Sequence, residues 1–402
     1  MKLKKIGVSI LSGALAMMIL GGCGSSESSS DAQSDPGTSQ QTESKTDESK
    51  GDESVAEGYL EKFNVKLLGR TYYNDGALWL GLSGTGADFD FTGDTLKINM
   101  IGNPAGMDSQ PRVAVYVDGE RKDEQLVASD GTVFEVKGAG DKAVNVKVVK
   151  ISECANSCCE ILSLDAGGGT ITPAADKPHK IEIIGDSITC GYGVDDEDKE
   201  HHFSTATEDC TKSYSYKTAQ LLDADYSLVS FSGWGIISGY SANGKKVESQ
   251  QLPKYYEKYG YTFNVGFGNE KPENLSWDFS RFQPDVVVIN LGTNDATYAK
   301  TKEKKAEYHD AYIDFLKTVR KNNPNARIYC ALGIMGTELN KTVHSVVEDY
   351  TAETGDSNIA AFDFPQQNMQ EDGIAADWHP SDKTHTKSAE LLAAKIKEDM
   401  GW

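Results

Sequence analysis

The amino-acid sequence predicts two domains of different class, an all-β sandwich followed by an α/β domain with a doubly wound parallel sheet. From about residue 55 to residue 171, apolar and polar residues alternate in short runs separated by Gly, Asp and Asn, which is typical of strands. After Pro173, strand-like apolar runs alternate with segments of helical period, which indicates a parallel sheet covered by helices. We place the two domains at residues 58–172 and 173–402.

The first domain is predicted from six alternating runs. Short strands at regular spacing favour a β-sandwich, here of the jelly-roll kind. Asp118-Gly119 directly follows one run and is a hairpin signal. No segment of helical period interrupts the series. The runs are ALWLGLSG, ADFDFTG, TLKINMIG, RVAVYVDGE, GTVFEVKGAG and AVNVKVVKIS.

The second domain is predicted from five strands that alternate with four helices. The third strand, DVVVINL, is almost continuously apolar, as expected when helices cover both faces of a sheet. In such a fold, active-site residues belong at the carboxyl ends of the strands. The strands lie in HKIEIIGDS, YSLVSFSG, DVVVINLGTND, RIYCALGI and NIAAFDF, and the helices in SYSYKTAQLLDA, EYHDAYIDFLKTVRKNNP, ELNKTVHSVVEDY and KSAELLAAKIKEDM.

Residues 1–22 are predicted to be a lipoprotein signal peptide. Three lysines precede a short apolar stretch at residues 6–20, and Leu20-Gly21-Gly22-Cys23 then resembles a bacterial lipobox. The stretch is shorter than a comfortable transmembrane helix of about 20 residues. We expect Cys23 to carry the lipid and to hold the protein at the extracellular face of the membrane. The alternative is an ordinary cleaved signal peptide with Cys23 nearby by accident.

The charge pattern excludes some partners and predicts a tether. Residues 23–57 are rich in Ser and acidic residues and poor in large apolar ones, so we expect a disordered tether. The whole chain has 40 Lys plus Arg against 61 Asp plus Glu, a formal net charge of −21. Nucleic-acid binding needs a basic face, and anionic lipid attracts Lys and Arg. We therefore expect no nucleic-acid partner, and membrane contact through the lipid anchor alone.

Three motifs stand where strands are predicted to end. They are Gly185-Asp186-Ser187-Ile188, Gly292-Thr293-Asn294-Asp295 and Asp377-Trp378-His379-Pro380. A serine hydroxyl becomes a useful nucleophile only when a neutral imidazole accepts its proton. The anion that forms on an attacked carbonyl oxygen also needs donors aimed at it. These residue types in this order predict an ester hydrolase that needs no metal or other cofactor.

The pattern resembles that of the SGNH (GDSL-like) hydrolases, whose four blocks centre on a Ser, a Gly, an Asn and a His. The matching residues are Ser187, Gly233, Asn294 and His379. This resemblance implies Ser187 as nucleophile, His379 as base, and an oxyanion site formed by Ser187, Gly233 and Asn294. Gly235 is the alternative to Gly233 as a donor.

With the first domain included, the chain resembles carbohydrate esterase family 2. The likeness rests on DGALWLGLSGTGADFDFTGDTLKI, WDFSRFQPDVVVINLGTND and DWHPS, and covers nearly all residues from about 58 to 402. It implies removal of O-acetyl groups from plant-wall polysaccharides or oligosaccharides such as mannan, xylan or glucan, with a preference for the 6-position. A peptidoglycan O-acetyl esterase, a lipase-like esterase and a non-catalytic cell-surface carbohydrate-binding protein are the alternatives.

The residue that orients His379 differs from the wider clan. The common SGNH acid lies three residues before the His, where this chain has Ala376, while Asp377 lies two residues before it. Family 2 shares this spacing, and the resemblance leaves two candidates for holding the imidazole, Asp377 and a backbone carbonyl. We take Asp377 as the third catalytic residue.

Four aromatic residues are candidates for contact with a sugar ring. Trp234, Trp277 and Trp378 lie in or near the motifs, and Tyr192 lies in the GYG that follows the first motif. Aromatic faces pack well against sugar rings, although core packing is the commoner fate of a Trp. We expect at least one of the three tryptophans to line the site.

Cysteines and histidines give no metal-binding pattern. Six cysteines follow Cys23, and pairing of Cys190 with Cys210, or of Cys154 with Cys158 or Cys159, stays open because spacing alone does not decide it. The acidic loop around His201-His202 has no zinc or EF-hand spacing, and we expect it to be solvated.

Overall fold

The structure, a computed structural model, describes residues 63–103, 106–263, 266 and 270–402. The predicted signal peptide (1–22), the lipidation site Cys23 and the tether (23–57) lie outside these residues. In the described part of the chain, no helix is both long and apolar enough to cross a membrane.

The first domain is an antiparallel sheet that curls around its own core. Among the described residues its strands are β1 Lys66–Leu68, β2 Thr71–Asn74, β3 Ala77–Leu80, β4 Gly86–Gly102, β5 Arg112–Val117, β6 Glu120–Leu126, β7 Thr132–Lys150, β8 Cys159–Asp165 and β9 Thr170–Pro173. They pair in the order β2-β3-β8-β4-β7-β5-β6, and β1 and β9 also pair with β4. The prediction of an all-β first domain is therefore confirmed, while the jelly-roll arrangement stays a prediction.

Two long strands take the place of four predicted short ones. ADFDFTG and TLKINMIG together form β4, and GTVFEVKGAG and AVNVKVVKIS together form β7. Gly93 of β4 lies opposite Gly140 of β7, and the register shifts on both sides of this pair. Both glycines have positive φ values, 141° and 64°, which only glycine adopts at little cost. The glycines therefore bend the strands where the sequence suggested breaks.

The second domain has a parallel sheet, as predicted. Its strands are β10 His179–Gly185, β11 Ala224–Ser230, β12 Val286–Asn290, β13 Arg327–Ile334 and β14 Ile359–Gln366. They are ordered β11-β10-β12-β13-β14, and every neighbouring pair is parallel. The strand order reverses between β10 and β12, and ligands bind at such a point in open α/β sheets.

Helices cover both faces of this sheet. They are α1 Ser187–Cys190, α2 Tyr214–Leu221, α3 Asp295–Tyr298, α4 Lys302–Asn322, α5 Asn340–Thr354, α6 Met369–Asp372 and α7 Asp382–Met400. Helices α4 and α5 pack on one face, whereas α2 and α7 pack on the other. On α4 the buried side chains recur at helical spacing, as its sequence predicts. The short 3-10 turns are Met107–Ser109, Cys210–Lys212, Leu252–Lys254, Pro272–Asn274, Phe279–Arg281 and Ala376–Trp378.

The two domains share a buried interface. Arg70 of the antiparallel domain pairs with Glu182 of β10 at 3.1 Å, and both side chains are almost fully buried. Arg70 also donates to the carbonyls of Tyr256 and Lys258 at 2.5 and 3.1 Å. Apolar residues of β5 and β7 lie in the same cluster as residues of β10 and α2. A buried charge needs such partners, so this contact fixes the domains against each other.

Candidate active site

The three motifs meet at the carboxyl edge of the parallel sheet. The first leads from β10 into α1, the second leads from β12 into α3, and the third forms the Ala376–Trp378 turn before α7. They open onto a pocket of about 720 Å³. The pocket is lined by Ser187, Tyr192, Ser232, Gly233, Tyr240, Gly292, Thr293, Asn294, Ala296, Thr297, Lys300, Leu332, Met335, Gly336, Glu338, Leu339, Asp377, Trp378 and His379.

Ser187 and His379 are in direct contact. Ser187 Oγ lies 2.8 Å from His379 Nε2, and the serine is only 7% exposed. Ser187 is the first residue of α1, which Asp186 caps by accepting from the N–H of Ile188 at 3.1 Å. An Asp at this position satisfies an otherwise unpaired helix donor. The strand, the cap and the short helix together hold the hydroxyl against the imidazole.

A backbone carbonyl, and not Asp377, accepts the hydrogen bond of the imidazole. His379 Nδ1 lies 3.1 Å from the carbonyl oxygen of Ala376. The Asp377 carboxylate instead accepts from the Tyr192 hydroxyl at 2.5 Å and faces His202 Nδ1 at 2.8 Å. The sequence prediction of Asp377 as the third catalytic residue therefore disagrees with the geometry, because both of its carboxylate oxygens are directed at other side chains.

The surroundings of His379 favour a neutral imidazole. Burial lowers the pKa of His379 from its ordinary 6.5 to about 4, against the opposing effect of the Ala376 carbonyl. The Tyr192 ring stacks on the imidazole, with centroids 4.0 Å apart and planes at 19°. With Nδ1–H donating to the carbonyl of Ala376, Nε2 keeps its lone pair toward Ser187. This is the tautomer that a general base for the serine requires.

The three predicted oxyanion donors surround the same corner of the pocket. The N–H groups of Ser187 and Gly233 have no hydrogen-bond acceptor among the described residues. The Asn294 amide donates to the carbonyl of Trp234 at 2.8 Å and, more weakly, to Asp186 at 3.3 Å. A developing oxyanion would compete for the longer of these two bonds. The geometry can therefore supply two backbone donors and one side-chain donor.

The loop that carries Gly233 is fixed by a second buried carboxylate. Asp295 accepts from the N–H groups of residues 236–238 at distances from 2.8 to 3.1 Å. The N–H of Gly235 donates to the carbonyl of Gln250, so it is not available as the alternative donor. Gly233 itself has φ of 81°, a backbone conformation that a side chain would disfavour.

One of the three tryptophans lines the pocket. Trp378 is 46% exposed, and the Lys199 ammonium lies 4.1 Å from the centre of its ring. Trp234 is fully buried against Phe231, and Trp277 packs beside Arg70 and Arg281. The prediction that Trp234 and Trp277 bind substrate is therefore wrong, because both side chains belong to the interior and neither lines the pocket.

Several pocket residues were missed by the sequence motifs. Tyr240 is well exposed on the wall beside Gly233, and Lys300, Met335 and Glu338 lie on the side formed by the ends of β12 and β13. Met335 and Glu338 follow closely after the end of β13, and this position is a signal that could have found them, whereas Tyr240 and Lys300 lie ten residues beyond the ends of β11 and β12. No motif marks them, because their residue types suit many loop positions.

The cysteines are all thiols and all buried among the described residues. The sulfur atoms of Cys154 and Cys158 lie 3.6 Å apart. Cys190 instead contacts Ser230 at 3.1 Å, and Cys210 faces a backbone carbonyl. Of the three pairings that the sequence left open, that of Cys154 with Cys158 is the one whose sulfur atoms lie in contact.

In the described part of the chain, one buried group could offer ligand atoms to a metal ion, namely Glu153, Cys190 and Glu208, whose candidate atoms lie within 4.8 Å of one another. An oxygen of the Glu153 carboxylate already accepts the N–H of Ser232 at 2.7 Å. An oxygen of the Glu208 carboxylate accepts the N–H of Glu153 at 2.8 Å.

In the loop around His201-His202, His201 faces Asp196 at 2.8 Å, and its exposed position agrees with a solvated loop.

Two family models match consecutive parts of the chain. The model described as carbohydrate esterase 2 N-terminal matches residues 67–174, and the model described as GDSL-like lipase/acylhydrolase matches residues 181–392. The second match covers more than half of the chain. The two matched regions correspond to the antiparallel and the parallel domain.

Characterised relatives share both parts. The cellulase/esterase CelE of Acetivibrio thermocellus is 33% identical over 324 residues, which are 78% of this chain but only 38% of that protein. An acetylxylan esterase/glucomannan deacetylase of Cellvibrio japonicus is 27% identical over 84% of this chain and 90% of its own length. The structure of a family two carbohydrate esterase from Clostridium thermocellum in complex with cellohexaose is 30% identical, with a TM-score of 0.73 over 84% of this chain and 99% of that one.

Proposed function

Because this chain belongs to the GDSL-like lipases and acylhydrolases and, within them, to carbohydrate esterase family 2, we propose that it removes O-acetyl groups from plant-wall polysaccharides or oligosaccharides. The family membership makes the chain a carboxylic ester hydrolase. The observation that carries the proposal is the 2.8 Å contact between Ser187 Oγ and His379 Nε2 at the floor of an open pocket. A serine held in this way suits acyl transfer through a covalent intermediate.

The first half of the proposed reaction forms an acetyl-enzyme. Ser187 Oγ attacks the acetyl carbonyl carbon while His379 Nε2 takes the hydroxyl proton. The carbonyl oxygen becomes an anion that the N–H groups of Ser187 and Gly233 and the amide of Asn294 stabilise. The imidazolium then gives its proton to the sugar oxygen as the bond from that oxygen to the acetyl carbon breaks.

The second half releases acetate. Water enters the position that the sugar hydroxyl has left, and His379 takes one of its protons as the water oxygen attacks the acetyl carbon. The same donors hold the second oxyanion. When the bond to Ser187 breaks, the proton returns from His379 to Ser187 Oγ, which restores the resting enzyme. The carbonyl of Ala376 holds the positive imidazolium in both halves.

The proposed substrate is a neutral β-linked glycan with acetyl groups at the 6-position. Relatives are named acetylxylan esterase/glucomannan deacetylase, and a related family two structure holds cellohexaose. The exposed Trp378 at the pocket rim offers a face for a sugar ring. The net charge of −21 disfavours substrates rich in uronic acids, because like charges repel.

Acetate release from a panel of substrates tests this proposal. We expect faster release from 6-O-acetylated glucomannan or glucan than from acetylated xylan, whose xylose rings have no 6-hydroxyl, and no turnover of long-chain esters. Loss of the 6-O-acetyl signal in a nuclear magnetic resonance time course would support the proposed position. Release from O-acetylated peptidoglycan alone, or turnover of long-chain esters alone, would contradict the proposal. Retention on the glycans without release of acetate would favour a carbohydrate-binding protein instead.

We also propose that the protein is lipid-anchored at the extracellular face of the membrane through Cys23. The support is the Leu20-Gly21-Gly22-Cys23 motif after a basic and then apolar segment. We expect the full-length protein to sediment with membranes, because two or three acyl chains hold a protein firmly. Cys23→Ala should lose this association, because it removes the proposed site of acylation. Mass spectrometry of the membrane-bound form should find diacylated Cys23. Unacylated wild-type protein in the medium would contradict the proposal.

A further inference from the structure

A buried carboxylate of the antiparallel domain reaches the active-site loop. Glu153 lies between β7 and β8, and its side chain is 1% exposed. One oxygen, Oε2, accepts from the N–H of Ser232 at 2.7 Å. Ser232 directly precedes Gly233, the predicted oxyanion donor. The contact therefore links the first domain to the backbone on which the proposed chemistry depends.

Glu153 is itself held firmly. Its second oxygen, Oε1, accepts from Asn156 at 2.9 Å, and its own N–H donates to Glu208 at 2.8 Å. Its backbone carbonyl accepts from the ammonium of Lys150 at 3.0 Å. Glu153 Oε2 also faces the sulfur of Cys190, the last residue of α1, at 3.8 Å. The carboxylate thus lies between the helix that begins with the nucleophile and the loop that carries the donor.

The loop is restrained on both sides of Gly233. Before it, the N–H of Ser232 is bonded to Glu153. After it, the carbonyl of Gly233 accepts from the N–H of Tyr240 at 2.7 Å, and Asp295 holds residues 236–238. The N–H of Gly233, which lies between these contacts and lines the pocket, has no acceptor among the described residues. Its direction is therefore set by neighbours that are themselves fixed.

We propose that Glu153 is a positioning residue, through which the antiparallel domain aims the Gly233 N–H at the oxyanion. The inference rests on the proposed function and gives the first domain a part in it. An oxyanion donor acts only when it lies about 2.7–3.1 Å from the oxygen in the transition state. Burial raises the pKa of Glu153, and the hydrogen bond from Ser232 opposes this rise, because such a bond is stronger to a charged acceptor than to a neutral one. Removing the carboxylate would free the Phe231–Ser232 peptide to rotate, and the next peptide, which carries the Gly233 N–H, would no longer be held in the direction of the oxyanion.

The test compares Glu153→Ala and Glu153→Gln with a matched variant, Glu182→Gln. Glu182 is also a buried carboxylate at the domain interface, but it bonds to Arg70, Ser227 and Tyr256 and does not line the pocket. We expect Glu153→Ala to lower kcat on an acetyl ester by about 100-fold, the size of effect that a displaced catalytic group produces. KM should change little, because the oxyanion exists only in the transition state.

Partial rescue by Glu153→Gln separates positioning from mere stability. The Gln carbonyl oxygen still accepts the Ser232 N–H as a neutral group, so we expect a loss of kcat of only about fivefold. Glu182→Gln should keep the kcat of the wild type even where its melting temperature falls. If Glu153→Ala does not fold, the comparison of Glu153→Gln with Glu182→Gln decides. Equal kcat values in these two variants and the wild type would overturn the proposal.

A second measurement keeps this inference independent of the substrate. A small fluorophosphonate reacts with an activated serine through a five-coordinate phosphorus: the bond from Ser187 Oγ to phosphorus forms, His379 takes the hydroxyl proton, and fluoride leaves. The negative charge on the phosphoryl oxygen in this transition state needs the same donors. We expect its rate of reaction with Ser187 to fall in Glu153→Ala in parallel with kcat and to stay unchanged in Glu182→Gln. If the wild type reacts with the probe but releases no acetate from glycans, the proposed substrate fails while the role of Glu153 is still tested. An unchanged rate in folded Glu153→Ala would overturn that role.

Discussion

Replacing Ser187 with Ala is expected to lower kcat for acetyl esters by about 10⁵- to 10⁶-fold, the loss seen when the nucleophile of a serine hydrolase is removed. The reason is that Ser187 Oγ is the group that His379 Nε2 contacts, at 2.8 Å. Without the hydroxyl no acetyl-enzyme can form, although the oxyanion donors and the pocket remain. Acetate release and the pre-steady-state burst measure the effect.

The fold should survive this change. Asp186 caps α1 through its own side chain, and Ala is well tolerated in a helix. Ser227→Ala is a matched control, because Ser227 is a buried serine of β11 whose hydroxyl donates to Glu182 at 2.9 Å, away from the pocket. We expect this control to keep its kcat. Acetate release at the wild-type rate by folded Ser187→Ala would exclude Ser187 as the nucleophile.

The α/β domain was predictable because its local and long-range signals agree. Strands such as DVVVINL are apolar on both faces, and helix α4 shows a clear apolar face, so sequence period and burial lead to the same elements. In the antiparallel domain, Gly93 and Gly140 had two possible meanings, a break or a bend. In the structure, β4 and β7 pair with each other on both sides of these glycines, so the glycines bend the strands and do not end them. This pairing joins residues that are distant in the chain, so a local sequence pattern does not reveal it.

The contact of Ser187 with His379 was predictable because strand ends meet at one edge of a parallel sheet. It was not predictable that the Ala376 carbonyl, and not Asp377, accepts from His379, because this depends on the local backbone conformation. Asp377 and Trp378 both have positive φ, 49° and 65°, which is uncommon for non-glycine residues. This turn brings the Ala376 carbonyl under the imidazole and directs the Asp377 carboxylate toward Tyr192. Spacing alone cannot reveal such a turn.

Tertiary packing explains why the sequence predicted a wrong role for two tryptophans and no role for Glu153. Trp234 and Trp277 lie close to motifs in the sequence, yet loops that pack from elsewhere in the chain bury them. No sequence signal connects Glu153 with the site, because it belongs to the other domain and is 79 residues from its partner Ser232. A residue that acts by holding a loop has no motif of its own, so only the folded structure identifies it.

The second large effect is expected for His379→Ala, which should lower kcat by about as much as Ser187→Ala, roughly 10⁶-fold. The imidazole is the proton acceptor for Ser187 and the proton donor to the leaving sugar, so both halves of the reaction need it. In contrast, Asp377→Asn should lower kcat by no more than about tenfold. In a serine protease triad, the corresponding change of Asp to Asn costs about 10⁴-fold, because it stabilises the wrong tautomer of the His.

The contrast between these two variants distinguishes a dyad from a triad. The Ala376 carbonyl accepts from His379 Nδ1 at 3.1 Å, and Asp377→Asn leaves this carbonyl and the imidazole in place, so this variant keeps the correct tautomer. A modest loss is expected because Asp377 bonds to Tyr192, whose ring stacks on His379. Measured kcat values, with folding checked by circular dichroism, decide the matter. A loss near 10⁴-fold in Asp377→Asn would show that the carboxylate orients the His during turnover, and the Ala376 carbonyl would then be insufficient.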